Sequence, residues 1–181
     1  GGDTTRSPGP RVLSLTIGSG PSGPSLTRSG ACAGDDLWVT GALGRSAAGF
    51  HYGTPAGLAW LRRPSPPVRF GAALGAAGLP SAMMDLSDGL AKDLPRLAKM
   101  SGCGFQIERD QIPRSPGATI DEALSDGEDY ELLFTISARS ADRLEKEWSD
   151  RFPKLSLTCI GSLTTEESDS LSGGWDHFTS P

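Results

Sequence analysis

The sequence predicts an α+β fold in which helices are layered on one mixed β-sheet. Three observations lead there. Short segments with strand-like alternation recur between stretches whose apolar residues fall at helical spacing. The connections between them are long and irregular, unlike the tight turns of a regular βαβ repeat, and no internal repeat is visible. With 181 residues, 36% of them hydrophobic and 22% charged, the chain has material for one domain with a real core and no room for a second full one.

In chain order, residues 11–17 alternate like a strand and run into the turn-rich Gly18-Ser19-Gly20-Pro21-Ser22-Gly23-Pro24, which marks a boundary. Residues 37–40 form a short strand. Residues 46–61 form a helix interrupted at Gly53-Thr54-Pro55. Pro64, Pro66 and Pro67 make a loop before a second helix over 68–77, which leads into a strand at 81–85. Leu86, Leu90, Leu94 and Leu97 then recur at helical spacing and bury one leucine face. Pro95 removes a backbone donor there and clashes with the carbonyl of Ala91, at ~3 kcal/mol if the helix stays continuous, so a kink or two short helices are expected. Further strands are expected at 105–108, 130–136 and 155–160. Leu144, Trp148 and Phe152 give an amphipathic helix after the cap Ser140. Residues 164–174, rich in Ser, Glu and Gly, read as a mobile surface loop.

Composition narrows the function classes. A net charge of −5 argues against a nucleic-acid surface, which needs clustered Lys and Arg. An anionic substrate must then be held by local features rather than by the overall field. Cys32, Cys103 and Cys159 are odd in number, widely spaced and without a CxxC pair, so they read as reduced packing residues. With His51 and His177 they make no zinc set. There is no apolar run of membrane-spanning length and no signal-like segment at the start, which predicts a cytoplasmic protein with no membrane partner.

Two acidic strings carry the chemistry. Asp85-Leu86-Ser87-Asp88-Gly89 places two carboxylates and a hydroxyl at a strand-to-helix turn. Oxygen ligands there suit Mg²⁺ beside substrate phosphates, although Ser87 or Asp88 as a plain helix cap fits the same string. Gly127-Glu128-Asp129-Tyr130-Glu131 runs straight into an apolar strand, and adjacent carboxylates in such a place are costly without a cation nearby.

Together the strings resemble the thiamine-monophosphate kinases, within the superfamily of aminoimidazole ribonucleotide synthetase. Gly1-Gly2-Asp3-Thr4, Arg28-Ser29-Gly30-Ala31 with Gly34-Asp35, Val39-Thr40-Gly41-Ala42-Leu43-Gly44, Ser46-Ala47-Ala48-Gly49 and Gly174-Trp175-Asp176-His177-Phe178 fall in the same order. The resemblance implies the C-terminal domain of that fold over residues 31–181, with 1–30 a remnant of an N-terminal ATP-binding domain. Family members are longer, and most of their nucleotide and magnesium contacts lie in the part missing here. The chain alone is therefore expected to show little or no activity. The family is homodimeric through that part, so the dimer is not carried over.

The resemblance also implies ATP-dependent, Mg²⁺-assisted in-line phosphorylation of thiamine monophosphate to thiamine diphosphate. No protein nucleophile is then needed, because phosphoryl transfer depends on positioning and charge neutralisation. Asp3, Asp85 and Asp88 become metal ligands, Gly2, Arg28 and Ser87 ATP contacts, and Glu128 and Trp175 contacts to the thiamine moiety. Locally, Asp3 also reads as part of a frayed terminus, Arg28 as a surface arginine, Glu128 as a solvated loop acid and Trp175 as a domain latch. The family's Gly-Gly-Glu-Asp is Asp126-Gly127-Glu128-Asp129 here, and Asp tolerates the left-handed backbone that such a turn asks for. Two other readings stay open: another ATP-dependent synthetase of the superfamily, and a non-catalytic binding or assembly module.

Overall fold

The computed structural model describes residue 9, residues 25–166, Leu171 and residues 173–174. The expected strand at 11–17, the boundary turn, Gly2, Asp3, Trp175 and His177 lie outside the described residues.

Among the described residues a five-stranded sheet in the order β2-β4-β1-β5-β3 organises the fold. Its strands are β1 (Asp35–Thr40), β2 (Pro80–Asp85), β3 (Gly104–Ile107), β4 (Leu132–Ser137) and β5 (Leu157–Thr164). All four ladders are antiparallel, and among the described residues parallel pairing is confined to one isolated bridge between Leu43 and Arg114. The α+β architecture is the expected one, but the sheet is antiparallel rather than mixed, because β4 and β5 both run opposite to the central β1 and β2 and β3 each run opposite to the strand they flank. β1 sits at the centre, where alternate residues point to opposite faces. Leu37 and Val39 join one core and Trp38 the other.

The first face is covered by α4 (Leu90–Ser101), whose Leu90, Leu94 and Leu97 are at most 1% exposed and pack with Leu133, Ala82 and Met84 of the sheet. Full burial of each such leucine is worth roughly 1.5–3 kcal/mol. One helix runs through Pro95 rather than two short ones. The second face is covered by α3 (Val68–Ala76) and α6 (Ala141–Arg151). There Trp148 stacks on Phe152 at 12°, and Phe70 meets both rings edge-on. Ser140 is the N-cap residue of α6, but its side chain makes no capping hydrogen bond.

The expected interruption at Gly53-Thr54-Pro55 divides α1 (Arg45–Tyr52) from α2 (Pro55–Arg62). Thr54 caps the second helix by accepting from Gly57 N–H. One helix has no counterpart in the sequence-based expectation: α5 (Ile120–Ser125), six residues long and opened by a capping box. Thr119 and Glu122 each accept from the other's backbone N–H, an arrangement that typically contributes about 1 kcal/mol. The cysteines are free thiols, and Cys32 is exposed rather than packed. Among the described residues no helix is long and apolar enough to cross a membrane.

Candidate functional site

β2 and β4 are antiparallel neighbours, with Asp85 opposite Leu132. The carboxyl end of β2 therefore meets the entry to β4, and the two acidic strings come together there. Leu86 N–H donates to the Glu131 carbonyl at 2.8 Å, Tyr130 N–H to the Leu86 carbonyl at 2.9 Å, and Glu128 N–H to the Ser87 carbonyl at 2.9 Å. The strand expected from residue 130 starts instead at Leu132. Residues 127–131 are committed to this loop-to-loop pairing.

The pairing is bought with backbone strain. Glu128 and Tyr130 have φ of 55° and 51°, the left-handed region that non-glycine residues seldom occupy, at a cost of ~1–3 kcal/mol each. Asp126, expected to accommodate a left-handed turn, is right-handed at φ −78° and closes α5 instead. Such strain persists only where surrounding contacts enforce it, and it concentrates at ligand-binding positions.

Neither Ser87 nor Asp88 caps α4. The N-cap position is Gly89, which makes no side-chain cap, and the turn before it is tied down from inside the helix. Asp93, fully buried, turns back to accept from the Ser87 and Asp88 N–H groups at 3.0 and 2.9 Å, while Arg96 donates to its other oxygen at 2.9 Å. Arg96 also holds the Asp88 carboxylate at 2.6 Å, with Lys92 Nζ at 3.9 Å. Asp85 stands exposed at the end of β2, and the Glu128 side chain is exposed on the facing loop.

The second loop is anchored from below. Asp129, 3% exposed, accepts from the backbone N–H groups of Gly44, Arg45 and Ser46 at 2.6, 2.9 and 3.2 Å, so it fills the N-terminus of α1 from 83–85 residues away. Ser46 Oγ donates to the Glu128 carbonyl at 2.6 Å and Trp60 Nε1 to the Asp129 carbonyl at 3.1 Å. Glu131, also 3% exposed, accepts from Thr40 Oγ1 at 2.6 Å. His51 Nε2 lies 2.7 Å from Asp126 Oδ2, tying the end of α1 to the same turn. The compensation that sequence reasoning sought in a ligand cation comes, for Asp129, from the protein: three N–H groups, and Arg45 nearby.

Burial pushes the carboxyl groups of Asp93, Asp129 and Glu131 above their usual range, against the lowering effect of their hydrogen bonds. These groups hold protons in the native state at pH values where the unfolded chain has released them. Their contribution to stability is therefore greatest below the ordinary carboxylate range and is lost as pH rises through the raised values. The urea midpoint should accordingly be higher at pH 5 than at pH 7, and Asp93→Asn should flatten that slope.

The structure thus unites Asp85, Ser87, Asp88 and Glu128. The Arg28 backbone runs beside β2: its carbonyl accepts from Ser101 Oγ at the last turn of α4, and the preceding Thr27 carbonyl accepts from Met83 N–H at 2.9 Å, two residues before Asp85. The tail bearing the GWDHF string does approach, since a Cβ on Gly174 would lie 2.5 Å from Lys92 Cβ and 3.2 Å from the Asp88 carbonyl. Asp93 and Glu131 were missed by sequence reasoning. The only available signal for Asp93 was an acid in the first turn of a helix without a capping side chain.

As to metal, no group of three or more His, Cys, Asp or Glu side chains among the described residues is placed to hold an ion. Asp85 offers open oxygens, while Asp88 is engaged by Arg96. The described residues do not by themselves fit a Mg²⁺ centre.

Residues 33–151 match the family model for AIR synthase related protein, C-terminal domain. The chain is 36% identical over its whole length to a thiamine-monophosphate kinase of Salmonella typhimurium and 37% identical to that of Escherichia coli K12, spanning 63% of each. Among solved structures it is similar to a thiamine-monophosphate kinase from Stenotrophomonas maltophilia, with 32% identity and a TM-score of 0.71 over 82% of this chain and 53% of that one. It is also similar to AaThiL complexed with AMPPCP and TMP, with 30% identity and a TM-score of 0.67 over 84% and 54%. The acidic loops, the antiparallel sheet that joins them and the family match agree: the chain belongs to the AIR synthase related proteins and carries their C-terminal domain.

Proposed function

We propose that this chain forms part of an ATP-dependent kinase that converts thiamine monophosphate to thiamine diphosphate. The observation that supports this most is the interlocked pair of loops, whose backbones are hydrogen-bonded to each other and whose Asp85 and Glu128 side chains are both exposed, and we read the pair as one face. The relative complexed with AMPPCP and TMP suggests the ligands for that face. Glu128 would meet the thiamine moiety, and Ser87 would face the nucleotide. The terminal phosphate oxygen of thiamine monophosphate would attack the γ-phosphate in line, so the protein's work is positioning and excluding water.

The reading also calls for Mg²⁺, whose role when bound is to neutralise phosphate charge. Asp85 is the described carboxylate free to meet it, and Asp88 would first have to leave Arg96. Arg28, exposed on the segment that runs beside β2, stays in the proposal as the ATP contact that the family resemblance implies. Asp3, Gly2 and Trp175 belong to the same proposal through the family resemblance, with residues 1–30 assigned to the ATP-binding side and 31–181 to the domain that holds the loops.

One or two carboxylates seldom retain Mg²⁺ without substrate phosphates. Residues 1–181 alone are thus expected to bind thiamine monophosphate but turn it over near the detection limit, measured as chromatographic formation of thiamine diphosphate from ATP. Steady turnover would contradict that expectation. Absence of any thiamine phosphate binding would count against the assignment of this face.

A further inference from the structure

A second cleft opens on the other side of Asp129, between α1, α2 and residues 115–116. Its volume is about 410 Å³, within the range of small-ligand sites. Arg45, Trp60, Arg63 and the buried Ser115 line it, with Ala56 and Ala59 on the α2 side, and among the described residues no carboxylate borders it. In a chain with a net charge of −5, two guanidinium groups around an acid-free cleft are a local inversion of sign.

The aromatic wall is fixed in place. Trp60 donates its indole N–H to the Asp129 carbonyl at 3.1 Å, and the Arg45 guanidinium lies 4.5 Å from its ring centroid. Arg45 is shared, because its charge also acts on the buried Asp129 and Glu131 behind it. Arg63 is exposed, and among the described residues no carboxylate lies within ion-pair distance of it. A planar guanidinium fork matches the paired oxygens of a carboxylate or a phosphate, which the alanine side of α2 cannot do.

We infer that this cleft binds a compact organic anion, a phosphomonoester or carboxylate on a flat apolar body, with Arg63 and Arg45 taking the oxyanion and Trp60, Ala56 and Ala59 the body. None of these residues belongs to the acidic face, so the inference goes beyond the kinase reading and does not depend on it.

The test is a titration of the ¹⁵N-labelled full chain with phenyl phosphate, benzoate and phenol, following the Trp60 indole N–H signal, assigned with Trp60→Phe. At least one anion should shift that signal saturably while phenol does not, and the stronger of the two identifies the preferred oxyanion. Arg63→Gln, at an exposed position where folding is not at stake, should weaken that binding about tenfold, and Arg63→Lys should fall between, having charge but no fork. Equal shifts from phenol and the anions would overturn the proposal. So would unsaturable shifts, or an affinity unchanged in Arg63→Gln.

Discussion

Gly127→Ala is expected to separate the two acidic loops, lowering stability by about 2–3 kcal/mol and removing thiamine phosphate binding. Gly127 has a φ of 72°, and a Cβ there would sit 2.5 Å from the Ser87 carbonyl oxygen and 2.9 Å from the Asp88 carbonyl carbon. Those atoms are backbone, so they cannot rotate away as a side chain would. Relief requires the loops to move apart, at the expense of the Glu128-to-Ser87 and Tyr130-to-Leu86 hydrogen bonds. Gly78→Ala is the control. Its φ of 62° is equally left-handed, but no atom lies within 4 Å of the added methyl, so only the conformational cost of about 1 kcal/mol should appear. Urea denaturation of the two variants separates steric clash from backbone strain.

Asp129→Ala should cost about 3 kcal/mol. The carboxylate satisfies three N–H groups at the start of α1, and its loss leaves them buried with no acceptor. Asp129→Asn keeps one acceptor oxygen and avoids burying a charge, so less than half of that loss is expected from it. Equal losses in the two variants would mean that charge rather than hydrogen bonding holds the loop. A negligible loss in both would mean that the interlock does not depend on α1.

The fold was legible where periodicity is strong. The short strand read at residues 37–40 is the core of β1, and the leucines at 90, 94 and 97 gave the buried face of α4. The helix break before Pro55 was marked by its own residues. What failed was local patterning overridden by long-range pairing. Residues 130–131 look like strand, yet they are held in a loop by contacts to Leu86 that no window of sequence contains. α5 is too short for periodicity to register, and only Thr119 and Glu122 announced it.

The site was legible in its acids but not in their division of labour. Asp85, Asp88, Glu128 and Asp129 are alike in sequence, and tertiary contacts sort them. Asp129 is consumed by α1, 83–85 residues upstream, and Asp88 by Arg96, while Asp85 and Glu128 remain exposed. The sorting role of Asp93 follows from the absence of a capping side chain at Gly89, which is visible only once the helix start is known.

The central claim is that Asp85 and Glu128 form one face for a thiamine phosphate. Isothermal titration of the chain with thiamine monophosphate, in the presence of Mg²⁺ and AMPPCP, tests it most directly when repeated on Asp85→Asn and Glu128→Gln. Both side chains are exposed, so the fold should survive each change. Loss of about tenfold in affinity in each variant, with unchanged circular dichroism, is the expected result. Affinity that is the same in both variants as in the parent chain would contradict the claim.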